Sequence, residues 1–128
     1  MQKLERILYA EDEPDIQKIA SIALEMIGGV SLEICNNGLE ALAKIDNFKP
    51  QLLLLDVMMP AMDGPSTFKK IREIPTYQNI PTVFMTAKVQ PSEVQEYLEM
   101  GAIDVISKPF DPVTLAAQIQ AIWQRSQA

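Results

Sequence analysis

Short runs of consecutive apolar residues alternate along this chain with longer stretches in which apolar positions recur every three or four residues. The short runs predict strands at Arg6–Ala10, Ser31–Cys35, Gln51–Asp56, Pro81–Thr86 and Ile103–Ser107. Three of them are nearly all apolar, the pattern of strands covered on both faces. The longer stretches predict helices with readable ends. Pro14 behind Glu13 opens the first, whose stripe at helical spacing is Ile16, Ile19, Ala20, Ala23 and Ile27, and Gly28-Gly29 stops it. Asn37-Gly38 opens the second, and Pro91 with Ser92 opens the fourth, which ends at Gly101. Asp111-Pro112 starts the last, with Leu115, Ile119 and Ile122 as its buried face. Strand and helix alternate five times, a (βα)5 pattern. Right-handed crossovers then place helices on both sides of one parallel sheet, an α/β doubly wound fold. No linker, repeat or low-complexity tract divides residues 1–128, so a single domain is expected.

Composition changes this picture mainly by exclusion. No run of about 18 apolar residues is present to span a bilayer. The apolar run at Ile7-Leu8-Tyr9 comes too soon for a signal peptide, and the lone Cys35 cannot form an internal disulfide, so a cytoplasmic protein is expected. A net charge of −6 and a pI near 4.6 argue against direct nucleic-acid binding, which needs clustered Lys and Arg. The chain has no histidine, which removes Ser-His-Asp triads, His-metal sites and a phosphohistidine carrier together. Any histidine in its chemistry belongs to a partner.

In a parallel sheet the ends of strands one, three, four and five point to one edge, where open α/β sheets bind ligands. Strand one runs into Glu11-Asp12-Glu13, strand three into Asp56, strand four ends at Thr86-Ala87, and strand five at Ser107-Lys108-Pro109. Two carboxylates about 5 Å apart repel by roughly 3 kcal/mol at an effective dielectric of about 20. A divalent cation resolves that repulsion, and an all-oxygen set with few protein carboxylates is what Mg²⁺ accepts while keeping waters. Lys108 can reach an incoming phosphoryl oxygen as a mobile charge, and Thr86 can donate a hydrogen bond to another. A carboxylate is a recognised covalent phosphoryl acceptor, and Asp56, ending the central strand, is the natural one.

At these residues the chain resembles the response-regulator receiver domain over essentially its whole length. The motifs match in order: Glu11-Asp12, Leu55-Asp56-Val57-Met58-Met59-Pro60 with Asp63-Gly64, Met85-Thr86-Ala87, and Gly101-Ala102 leading to Lys108-Pro109-Phe110. The resemblance implies a flavodoxin-like fold of strand order 2-1-3-4-5 and a two-component or phosphorelay role. It implies that a histidine kinase or histidine phosphotransfer protein is the donor and that a downstream protein is the target. Asp56 resembles the phosphorylated aspartate, and Asp12 and Asp56 resemble direct Mg²⁺ ligands. Glu11 is expected to act mainly through water, and the backbone carbonyl of Met58 to be the remaining protein ligand. Thr86 matches the switch hydroxyl and Lys108 the phosphoryl-contacting lysine. In similar proteins the Lys108-Pro109 bond is cis. Met58 and Lys88 would border the attacking water, and since Met58 cannot orient it, a long-lived phosphoryl group is expected.

One residue departs from the family: many relatives carry Tyr or Phe where this chain has Val105. A β-branched side chain with one dominant rotamer cannot swing a ring between surface and core. Output is therefore expected through the Thr86 loop and the surface of the fourth helix, fifth strand and fifth helix, including Glu93, Glu96, Tyr97 and Val105. Contact is expected to be non-covalent, from a monomer or weak dimer.

Other readings of the same residues remain open. Glu11, Asp12 and Glu13 also suit a solvated helix N-terminus, and Thr86 and Lys108 taken singly are ordinary. A non-phosphorylated adapter would keep the fold for binding alone. An aspartate-nucleophile phosphatase of the haloacid-dehalogenase type wants an acid two residues after its nucleophile, where Met58 stands. Met58, Met59, Met62, Met85 and Met100 are read as adaptable packing. Cys35 is read as a small buried hydrophobe, and Trp123 as helix packing with one exposed edge.

Overall fold

A computed structural model describes residues 2–127. Its strands are β1 (Arg6–Ala10), β2 (Ser31–Cys35), β3 (Leu52–Asp56), β4 (Thr82–Thr86) and β5 (Asp104–Ser107), all parallel and in the order β2-β1-β3-β4-β5. Between them run α1 (Pro14–Ser21, continuing as a π-helical stretch Ile22–Ile27), α2 (Gly38–Phe48), α3 (Gly64–Arg72) and α4 (Pro91–Met100), with α5 (Leu115–Gln127) last. The five-strand expectation and its order hold; β3, β4 and β5 each begin one residue later than the apolar runs do.

Alternation along the strands builds two core layers. On β1, Ile7 and Tyr9 face one layer with Leu52, Leu54, Ala23, Leu24, Leu115 and Ile119, whereas Leu8 and Ala10 face the other with Leu53, Leu55, Ala41, Ile45 and Phe68. Every residue of β3 and β4 is buried, as the apolar runs required. The pairs Ala10–Leu55, Asp56–Met85 and Thr86–Ser107 bring the carboxyl ends of β1, β3, β4 and β5 level along one edge.

Helix ends follow side-chain chemistry. Asn37 caps α2 by accepting from the Glu40 N–H at 2.9 Å, and Asp63 caps α3 by accepting from the Ser66 N–H at 2.8 Å. Gly101 closes α4 in the left-handed region, at φ 116°.

Three expectations need correction. The stripe read for the first helix holds only in part: Ala20 and Ala23 are buried as expected, but Ile19 and Ile27 are 43% and 58% exposed, and Leu24, outside the stripe, packs in the core. For Ile27 the cause is the π-helical stretch, where the Gly28 N–H donates to Ala23 O, five residues back, and rotates later side chains off the 3.6-residue pattern. Ile19 precedes that stretch and lines a groove with Ile16, Phe110 and Pro112. The last helix begins at Leu115, not at Asp111-Pro112. Asp111 instead forms a preceding turn, its Oδ1 accepting from the Val113 N–H at 2.9 Å. Trp123 has no exposed edge, because the segment before β1 covers it and its Nε1 donates to Gln2 O at 2.8 Å.

Gly38 is where α2 meets α3 most tightly. A Cβ there would lie 1.9 Å from Thr67 Oγ1, a hydroxyl already committed to Asp63 O at 2.7 Å. Gly38→Ala is expected to lose about 1–3 kcal/mol by overpacking, read as a lower urea midpoint with an unchanged slope. An unchanged midpoint would show that the two helices can part without penalty.

Candidate functional site

The chemistry collects where the four strands end. On β1 the ladder runs one residue past the strand, with the Glu11 N–H donating to Cys35 O at 2.9 Å. Glu11 thus continues the Ile7–Tyr9 face. It is completely buried, and its Oε2 accepts from the Glu13 N–H at 3.1 Å. Asp56 ends β3 after four leucines and is 5% exposed. The chain after it folds back at once: the Gly64 N–H donates to Val57 O at 2.9 Å, and a Cβ on Gly64 would lie 2.3 Å from Asp56 O. Only glycine lets the start of α3 press against the backbone of the acidic residue.

Lys108 is fixed by its own backbone, whose N–H donates to Thr86 O at 2.9 Å, and the Lys108-Pro109 bond is cis. From there its ammonium crosses the edge of the sheet, donating to Glu11 Oε1 at 2.9 Å and to Asp56 Oδ2 at 3.1 Å. Thr86 is buried beside it, with Oγ1 accepting from the Lys88 N–H at 3.0 Å. Asp12 is exposed at the rim. A cleft of about 260 Å³ opens between Asp12, Asp56, Met58, Thr86 and Lys108.

Electrostatics follows from this packing. Burial, and then the neighbouring Glu11 carboxylate, push the Asp56 carboxyl up to about 6 against the opposing pull of Lys108. For Lys108, burial works against the charge, yet the hydrogen bonds it donates to Glu11 and Asp56 outweigh it and raise the ammonium's pKa. Carboxylate oxygens of Glu11, Asp12 and Asp56 all lie within 4.8 Å of one another. Opposite ligands of an octahedral Mg²⁺ stand about 4.2 Å apart, twice a metal–oxygen distance of about 2.1 Å. Adjacent ligands stand about 3.0 Å apart, so the three acids are close enough to share one small hard cation, directly or through its waters, once they draw inward around it.

All the residues singled out in the sequence meet here: Glu11, Asp12, Asp56, Thr86 and Lys108, with Met58 on the rim, its side chain 73% exposed. A solvated helix terminus does not describe Glu11, which is buried and paired with an ammonium, though it still describes the exposed Glu13. Val105 is half-buried. It pairs in register with Phe84 of β4, and α4 adds Tyr97, whose ring lies 5.2 Å from that of Phe84. Burial pushes the Cys35 thiol up to about 12, an inert group as read.

Two features escaped sequence reasoning. Gly64 was visible only as part of a motif, because its closeness to Asp56 depends on the turn between them. An apolar groove of about 330 Å³ also borders the site, lined by Ile16, Ile19, Ala87, Phe110 and Pro112 and sharing Lys108 with it. Ile22, Met26, Ile27 and Val113 add exposed apolar surface on α1, its π-helical extension and the turn before α5. The exposed Ile19 was the available signal, but helical spacing assigned it to the core.

Comparison with known proteins agrees with this geometry. The family model described as response regulator receiver domain matches residues 7–120. A transcriptional regulatory protein CpxR homolog of Haemophilus influenzae is 39% identical over 123 residues, which cover 96% of this chain and 52% of that protein. A phosphate regulon transcriptional regulatory protein PhoB of Pseudomonas aeruginosa is 37% identical, over 94% of this chain and 52% of its own length. The chain thus spans about half the length of these curated relatives. Among solved structures, the chemotaxis response regulator CheY4 of Vibrio cholerae superposes with a TM-score of 0.86 at 30% identity, covering 94% of this chain and 99% of that one.

The raised pKa of Asp56 carries a stability consequence. A carboxyl that holds its proton more tightly when folded favours the folded state below its unfolded value, near 3.8, and that contribution is lost as pH rises through about 6. With metal removed by chelator, Asp56→Asn is expected to match the parent near pH 4. Above pH 6 it should be the more stable by about 1–3 kcal/mol, measured by urea unfolding across the pH range. A difference independent of pH would refute the electrostatic cause.

Proposed function

Since the chain belongs to the response-regulator receiver domain family, we propose that it accepts a phosphoryl group from a partner's phosphohistidine onto Asp56, with Mg²⁺. The receiver unit is taken as residues 1–128, acting in the cytoplasm. The observation that carries this reading is the Lys108 ammonium bridging the buried carboxylates of Glu11 and Asp56 beside an open cleft. A buried acid so placed is a nucleophile whose surroundings already contain the charge its product needs.

Glu11, Asp12, Asp56 and the backbone carbonyl of Met58 would hold the cation, which when bound neutralises the acids and the developing charge on the phosphoryl oxygens. An Asp56 carboxylate oxygen attacks phosphorus. The phosphorus–nitrogen bond to the donor's imidazole breaks, and the imidazole keeps the electron pair and takes up a proton from water. Lys108 exchanges a carboxylate partner for a phosphoryl oxygen. Thr86 Oγ1 uses a lone pair on the Lys88 N–H and so keeps its own proton free to donate to another phosphoryl oxygen. That donation draws the loop from Thr86 toward the site, and the change passes to the surface of α4, β5 and α5, where Tyr97 supplies the ring that Val105 lacks. The reader of that surface is a downstream protein.

The donor's identity is chemical as well as positional. A phosphohistidine presented on an amphipathic helix could lay that helix's apolar residues into the groove at Ile16, Ile19 and Phe110 while its imidazole faces Asp56. The acidic surface of this chain, at net charge −6, speaks against nucleic acid as a direct partner.

Incubation with Mg²⁺ and a small phosphodonor should label the parent protein and leave Asp56→Asn unlabelled. In the beryllofluoride complex the amides of Glu93, Glu96, Tyr97 and Val105 should shift in NMR spectra. Labelling that survives Asp56→Asn would remove the acceptor. Labelling without a shift would leave the output surface wrongly assigned, and a partner that binds equally with and without phosphorylation would favour the adapter reading.

Ile19→Glu separates docking from chemistry. Transfer from a phosphohistidine protein should slow about tenfold, as expected when an interface anchor worth more than about 1 kcal/mol is lost. The rate with the small phosphodonor should stay within twofold of the parent. Equal loss with both donors would mean that Ile19 acts on the site and not on the partner.

A further inference from the structure

Tyr9 is an uncommon component of a β-strand core. Its side chain is completely buried between β1 and the layer formed by α1 and α5, and its hydroxyl has no hydrogen-bond partner among the described residues. An unpaired buried hydroxyl is unfavourable by about 1–3 kcal/mol, and phenylalanine would fill the same core without that penalty. The position of the hydroxyl is what distinguishes it. Tyr9 and Glu11 stand two residues apart on one face of β1, and both are fully buried. Burial foremost, then the charges of the Glu11 and Asp56 carboxylates, and last the hydrogen-bonding proximity of Glu11 push the phenol's pKa up, although the hydroxyl does not meet full hydrogen-bond geometry to any partner among the described residues. The group is beside the acid but not yet bonded to it.

The donors to Glu11 explain what this arrangement allows. Oε2 is held by the Glu13 N–H at 3.1 Å, and Oε1 by Lys108 Nζ at 2.9 Å. Lys108 is the same ammonium that phosphoryl transfer draws away. When it leaves, Oε1 of a fully buried carboxylate loses its donor even where a cation offsets the charge, and a buried acceptor left without a hydrogen bond is unfavourable. Among the described residues, the buried hydroxyl without a partner on that face is that of Tyr9.

We propose that Tyr9 is a positioning residue: its hydroxyl takes over as hydrogen-bond donor to Glu11 when Lys108 turns to the phosphoryl group. It holds that carboxylate in place while the ammonium is engaged elsewhere. The inference rests on the phosphoacceptor reading given above. It makes the phenol an element of the loaded state and an unsatisfied group in the resting one, so that the stability of the two states responds to it in opposite senses.

The full chain, labelled with ¹³C at the tyrosine Cζ positions and assigned by Tyr9→Phe, tests this by NMR with Mg²⁺ and beryllofluoride as the phosphoryl mimic. The Tyr9 Cζ resonance should move downfield on forming the complex, as expected for a phenol that begins to donate to a carboxylate. Tyr9→Phe should leave the urea midpoint of the metal-free protein unchanged or raised and weaken the beryllofluoride complex by about tenfold, the equivalent of one hydrogen bond to a charged group of about 1.5 kcal/mol. A lower metal-free midpoint with unchanged beryllofluoride affinity would make Tyr9 a packing residue and overturn the proposal. So would a motionless Cζ resonance while the Asp56 amide shifts, leaving the phosphoacceptor reading intact. No shift at Asp56 either would overturn both together.

Discussion

Everything at the functional edge depends on keeping two carboxylates charged where little water reaches them. Glu11 and Asp56 are both buried, and their mutual repulsion would by itself drive a proton onto one of them. The Lys108 ammonium, 2.9 and 3.1 Å from the two, offsets that repulsion while leaving Asp56 with a raised pKa. The pair is thus held in tension: stable enough to fold around, and ready to accept a stronger source of positive charge. A cation among Glu11, Asp12 and Asp56 would relieve what Lys108 only partly balances, freeing the lysine to move.

The scaffold is rigid where that tension is stored and loose where it is to be read. β3 and β4 are buried along their whole length, and Gly64 brings the start of α3 against the backbone of Asp56. By contrast α4 has no fully buried residue, and its contact with the core is made by half-buried side chains such as Tyr97. Elements with few buried contacts are those that move at least cost. The proposed output surface therefore lies on the weakest-held helix, next to the strand that carries Thr86.

Much of this was legible in the residues. Leu52 to Leu55 followed by Asp56 states that a charge sits at the end of a buried strand, and such a charge is rarely decorative. The caps at Asn37 and Gly101 came through because they rest on local chemistry within a few residues. The first helix did not. Ile27 has good helical spacing, but the π-helical stretch alters the number of residues per turn and no local signal announces it. Ile16 and Ile19, ahead of that stretch, share the same spacing yet line the groove beside the site. The consequence was functional as well as geometric: an apolar strip beside the site was assigned to the interior.

By itself the sequence determined the alternation of strands and helices, the edge at which the acids, the hydroxyl and the amine would gather, and the chemistry open to them. These follow from periodicity and from the directionality of a parallel sheet, which act over short stretches of chain. Only the tertiary structure decided which carboxylate Lys108 would bridge to which, that Tyr9 would lie unbonded beside Glu11, and that Ile19 would face outward. Those are contacts between distant segments. They are fixed by how helices dock on the two faces of the sheet, through distances of a few ångströms that no run of neighbouring residues encodes.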